Sequence, residues 1–193
     1  MNVSDKDAMQ GSTQTKRQVW KSGKAGAISR LKLVDEIMGS LPADKVRVRV
    51  SAVGLNFADI FALAGLYSAT PEGPFIPGLE FSGTVEAVPE GQGEYSVGQK
   101  VMGITRFGGY CSRIDIAPDY LQPLPDGWDF QQGAAYLVQT LTAWYALMEL
   151  GNFKSGHRVL VHSAAGGVGL QAMKLITAMG GDAFGTVRSE ENS

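Results

Sequence analysis

Residues Ala164, Ala165, Gly166, Gly167, Val168 and Gly169 form a turn of small residues between the apolar run 158–163 and the segment 170–176. Small side chains at 164, 166 and 169 let a chain turn sharply, bring its backbone close to a pyrophosphate, and seat the next helix tightly on the preceding strand. A helix starting near Gly167 would aim unsatisfied N–H groups and the positive end of its dipole at those phosphates. The chemistry implied is dinucleotide binding. The first position is Ala164 rather than glycine, so the context carries the assignment. A β-branched strand precedes the turn, and Met173, Leu175, Ile176 and Met179 follow it at helical spacing. The bland alternative is a glycine-rich strand-to-helix connection that holds no ligand.

Residues 182–187 read as the second strand of the same unit. In NAD-selective sites an acidic residue at the tip of that strand bonds the ribose 2′-hydroxyl. Here the tip carries Arg188 and Ser189, a cation and a hydroxyl suited to a 2′-phosphate, which favours NADPH over NADH. Glu190 and Glu191 lie just beyond, and a register shift of about two or three residues would reverse that preference.

These residues must be held by something, and the rest of the chain supplies it. The 193 residues are 44% hydrophobic with a net charge of −2, enough for one domain and part of another. Basic residues are few and scattered, which argues against a nucleic-acid partner. Cys111 is the only cysteine, so an internal disulfide and a cysteine-built zinc site are excluded; a buried strand residue is expected there rather than a nucleophile. No run reaches the ~20 apolar residues of a membrane span, and the expected compartment is the cytoplasm.

Residues 1–16 are rich in Ser, Thr, Gln, Asp and Lys and read as a disordered leader. Strands are expected over 18–20, 28–34, 45–54, 83–88, 100–104 and 109–116, broken by glycine and proline turns, which suggests a β-barrel-like domain over 17–146. Residues 129–150 read as one helix carrying the chain into the cofactor unit at 147–193. That unit supplies two strands of a fold that normally has about six. The expectation is therefore mixed β and α/β architecture with an incomplete dinucleotide-binding domain, and weak or absent NADPH binding by this chain alone.

A β-domain followed by a dinucleotide-binding start, with Gly54-Leu55-Asn56-Phe57-Ala58-Asp59-Ile60, Gly65-Leu66-Tyr67 and Pro77-Gly78-Leu79-Glu80-Phe81-Ser82-Gly83, resembles the zinc-free quinone oxidoreductase branch of the medium-chain dehydrogenase/reductase superfamily. Residues 151–162 are similar to homologues of the synaptic vesicle amine transport protein. The resemblance implies a GroES-like, partly open β-barrel domain followed by a Rossmann domain that is truncated here. It also implies an NADPH-dependent oxidoreductase and, for full-length relatives, a homodimer. The zinc-ligand positions of the superfamily's alcohol dehydrogenases fall on Asn56, Leu79 and Val138, none of which ligates zinc usefully. Glu80, beside the lost second ligand, is expected to hydrogen-bond backbone near the cleft.

Without a metal, hydride transfer suits conjugated enones and quinones, whose delocalised charge hydrogen bonds can stabilise. The resemblance places Asn56 and Thr142 near the nicotinamide and Tyr67 in the substrate cleft. Phe61 stands where some relatives have a second tyrosine, so one possible proton donor is absent. Each residue also has a structural alternative: Asn56 could hold a turn, Tyr67 could cap the barrel, and Thr142 could pack within its helix. His157 and His162 read as structural. Two other functions stay open. One is an enoyl reductase of polyketide or fatty-acid type, acting on a carrier-bound substrate; the other is a non-catalytic, vesicle-associated binding protein.

Overall fold

The computed structural model describes residues 15–91 and 93–188. Most of the expected leader, residues 1–14, lies outside the described residues. Its last residue does not belong to a leader: Lys16 opens strand β1 (Lys16–Ser22), which pairs antiparallel with β2 (Leu31–Ile37). The sequence places both strands but misses their extents, because residues 28–30 form a short 3-10 turn and β2 runs on to Ile37.

A five-stranded antiparallel sheet follows, in the order β6 (Arg113–Ile116), β3 (Val46–Val53), β4 (Glu80–Ala87), β5 (Lys100–Ile104), β7 (Leu121–Pro123). β4 is central, and its first four residues are all buried instead of alternating, because both of its faces are covered. On one face Val19, Val46, Val48, Phe81, Val101 and Leu121 form the main core. On the other lies α2 (Phe130–Ala134), where Ser82 Oγ donates to the Phe130 carbonyl. The β1–β2 hairpin joins this sheet through isolated bridges, Val19 to Cys111 and Ser22 to Phe75, giving the partly open barrel. The Arg47 guanidinium binds Asp115 at 2.7 Å across the β3–β6 pair.

One expectation fails on tertiary grounds, and one element was not foreseen. The segment after Asn56 is helix α1 (Phe57–Ala64), ended by Gly65 in the left-handed conformation. The single helix expected over 129–150 is instead α2, a break at Ala135 and Tyr136, α3 (Leu137–Tyr145) and a π-helical turn over Ala146–Leu150. Strand β8 (Arg158–His162), helix α4 (Gly167–Ala178) and strand β9 (Asp182–Thr186) then form a parallel βαβ unit in the register Arg158 to Asp182 through His162 to Thr186. Ala143 of α3 and Leu147 of the π-helical turn pack with Ala172 and Ile176 of α4, and Phe153 closes the small core. Fold class is thus mixed β and α/β.

Candidate active site

The site grows from one buried carboxylate. Glu80 begins β4 and is 1% exposed, yet every oxygen is used: Oε1 accepts from Asn56 Nδ2 at 3.0 Å and Oε2 from the Val138 amide at 2.9 Å. The Leu137 amide also bonds it, so the carboxylate sits at the N-terminus of α3, where the helix dipole and unpaired amides favour an anion. Burial nevertheless pushes its pKa above the ordinary carboxylate value, and these hydrogen bonds pull only partly the other way. The same carboxylate explains why a new helix starts at Leu137.

Asn56 is fixed twice. Its backbone amide donates to Asp59 Oδ2 at 3.0 Å at the start of α1, while its side chain must present nitrogen to Glu80, since an ionised carboxylate only accepts. The second side-chain N–H has no protein partner among the described residues. Asp59 is 4% exposed and also receives the Tyr110 hydroxyl at 2.9 Å and the Gly78 amide at 3.1 Å. Burial raises the pKa of Asp59, and burial together with the Asp59 charge raises that of Tyr110. Asn56, Ile60, Leu63 and Tyr110 line a recess of about 280 Å³.

Thr142 joins the same chain of contacts. Its hydroxyl donates to the Val138 carbonyl at 2.6 Å, so Asn56, Glu80, Val138 and Thr142 are linked in sequence. Two of the three positions on which the zinc ligands of the alcohol dehydrogenases fall, Asn56 and Val138, therefore meet at the carboxylate of Glu80, the neighbour of the third, Leu79. Tyr67 is 36% exposed and does not line the Asn56 recess. Cys111 is buried, and burial pushes its thiol up to about 11, far from a reactive thiolate.

The glycine turn lies beyond α3. Ser163 turns with a left-handed φ of 56°, and buried Ala164 donates its amide to the Thr186 carbonyl at 3.0 Å, locking the turn to β9. A β-carbon on Gly169 would collide with the Ser163 carbonyl and the Ala164 backbone, which is the close helix-on-strand contact a dinucleotide turn requires. α4 begins at Gly167 with Gly166 extended before it, leaving the Gly167, Val168 and Gly169 amides as first-turn donors without intrahelical acceptors. The exposed Ala165 completes the turn, and Arg188 is exposed just past β9. Ser189 lies outside the described residues. This geometry fits a pyrophosphate.

Residues 42–136 match the alcohol dehydrogenase GroES-like domain family. The chain is 39% identical over 149 residues to the mouse synaptic vesicle membrane protein VAT-1 homolog, covering 77% of this chain and 37% of that protein. It is 36% identical over 170 residues to pig quinone oxidoreductase, covering 87% and 52%. Human VAT-1 homolog-like protein superposes with a TM-score of 0.83 at 30% identity, covering 91% of this chain and 57% of that one. The chain belongs to the medium-chain dehydrogenase/reductase superfamily, on its quinone oxidoreductase branch. Escherichia coli quinone oxidoreductase complexed with NADPH gives a TM-score of 0.78 at 32% identity, covering 92% and 54%. The enoyl reductase CurK gives 0.80 at 30%, covering 91% and 55%. The chain spans about half or less of the length of the curated relatives it matches. No helix among the described residues is long and apolar enough to cross a membrane.

Sequence reasoning missed Asp59 and Tyr110. The spacing of Asn56 and Asp59, a capping residue followed three positions later by an acid, was a usable signal for both α1 and the buried aspartate. Tyr110 had none, since its partner lies 51 positions away.

Proposed function

We propose that the protein is an NADPH-dependent, zinc-independent reductase of quinones or α,β-unsaturated carbonyls. The observation that carries this is the glycine turn itself. Three first-turn amides lack acceptors in their helix, and the close contact of Gly169 with Ala164 seats that helix on its strand, an arrangement that suits a pyrophosphate. Ala164 to Gly169 would hold the phosphates and Arg188, with Ser189, the 2′-phosphate. Bound there, the nicotinamide supplies hydride to the acceptor. Asn56 and Thr142 would border that ring, and the free N–H of Asn56 offers charge stabilisation at an acceptor oxygen. Tyr67 would line the mouth of the cleft. Carboxamide and aliphatic side chains at positions 56, 79 and 138 offer no zinc-ligand set, and both Glu80 oxygens already accept N–H groups.

NADPH comes to the proposal from the Arg188 position and from the likeness to a quinone oxidoreductase complexed with NADPH. The test is loss of NADPH absorbance with a simple quinone and a simple enone, using the protein isolated at its native length. Turnover with NADPH in preference to NADH supports the proposal; binding without turnover turns it toward a non-catalytic role. Similarity to CurK favours a second reading, a carrier-dependent enoyl reductase, for which activity would appear only with an acyl-carrier-bound substrate.

A further inference from the structure

Gln139 stands on the first turn of α3, one residue after Val138, whose amide Glu80 holds. The side chain of Gln139 reaches Gly167, the first residue of α4. A β-carbon on Gly167 would meet Oε1 of Gln139 first, then Cδ at 2.5 Å and Nε2 at 2.8 Å, and no other residue supplies its nearest contacts. Gly167 does not have a positive φ, so its backbone conformation does not demand glycine. The space a β-carbon would take is filled by the carboxamide of Gln139, the movable end of its side chain.

Gln139 is partly exposed, and its carboxamide makes no hydrogen bond among the described residues, so its polar atoms are open to water or to a ligand. It lies against Gly167, the first residue of α4, whose first-turn amides have no acceptor in their helix. A side-chain amide can turn either nitrogen or oxygen forward, and at a helix N-terminus an anion selects the nitrogen.

We infer that Gln139 is a cofactor-contact residue, donating its side-chain N–H to the pyrophosphate of the dinucleotide. The inference rests on the cofactor assignment above and deepens it: the helix leaving the β-domain supplies part of the phosphate grip, and the grip is tied through Val138 to Glu80.

The experiment compares NADPH affinity, by nicotinamide fluorescence, for native-length protein, Gln139→Leu and Gln139→Glu, with 2′-AMP as a ligand that lacks the pyrophosphate. A hydrogen bond to a charged group is worth about tenfold or more in affinity. Gln139→Leu should weaken NADPH binding by about that factor, and Gln139→Glu, of equal shape but anionic, should weaken it further. Affinity for 2′-AMP should change by less than about twofold. Should Gln139→Leu fail to fold, the isosteric Gln139→Glu decides. Unchanged NADPH affinity in a folded variant overturns the inference and leaves the proposed function standing. Equal losses for both ligands also overturn it, since the contact would then not be with the pyrophosphate. Wild-type protein that binds neither NADPH nor NADH overturns the inference together with the cofactor assignment on which it rests.

Discussion

The β-domain cluster and the glycine turn handle polar groups in opposite ways. Around Glu80 and Asp59, buried charges take up nearby donors: two carboxylates receive the amides of Asn56, Gly78, Leu137 and Val138 and the Tyr110 hydroxyl. Around Gly167, three amides and one carboxamide have no such acceptor. The apolar parts differ in the same sense. The main core encloses Phe81 and Val101 completely, whereas β8 and β9 leave Leu160 and Phe184 59% and 45% exposed. One region is closed on itself and fixes geometry; the other is built to meet something.

The sharpest way to break the first region is Phe81→Ala. Phe81 is fully buried, so the cavity should cost about 3–5 kcal/mol, read by urea unfolding followed through tryptophan fluorescence. In the second region Gly169→Ala should cost about 1–3 kcal/mol, because the added carbon meets backbone rather than a movable side chain, and it should weaken NADPH binding more than Phe81→Ala does among folded molecules. A calorimetric titration beside an unfolding curve separates these effects. Tyr110→Phe removes one donor from Asp59 while two amides remain, at about 1 kcal/mol.

The smallest effect concerns pH. Burial raises the folded-state pKa of both Glu80 and Asp59, so the native state holds protons longer than the unfolded chain. Stability therefore falls as pH rises from the ordinary carboxylate value through each raised folded value. Glu80→Gln cannot ionise, and the stability of that variant should fall less steeply over the same window, measured by unfolding at a series of pH values. An unchanged slope would mean that Asp59 alone carries the dependence.

The sequence made the glycine turn legible because its signal is local: strand, small residues and apolar helix lie within one stretch, and the structure places β8, α4 and β9 there. Strands β3 and β5 were equally plain from β-branched runs between turns. α1 was not, since Phe57 and Ile60 lie on its exposed surface and its one charged residue, Asp59, is buried, the reverse of an amphipathic pattern. β7 was missed because it has three residues and ends in proline at the sheet edge. The break between α2 and α3 was illegible because the anion that starts α3 comes from a residue 58 positions earlier. Gln139 and Gly167, on separate helices, could be related only by the packing between them.

Glu80 also stands where a pivot would stand. It anchors only the front end of α3, and a helix advances about 1.5 Å per residue, so α3 with its π-helical extension forms a lever of roughly 20 Å. Any rotation of that lever about the carboxylate displaces Leu150 most and the residues at the fulcrum least. Val138 and Gln139 then stay nearly in place while the far end swings, so the distance from Asn56 to the glycine turn would survive a change in the angle between the two units.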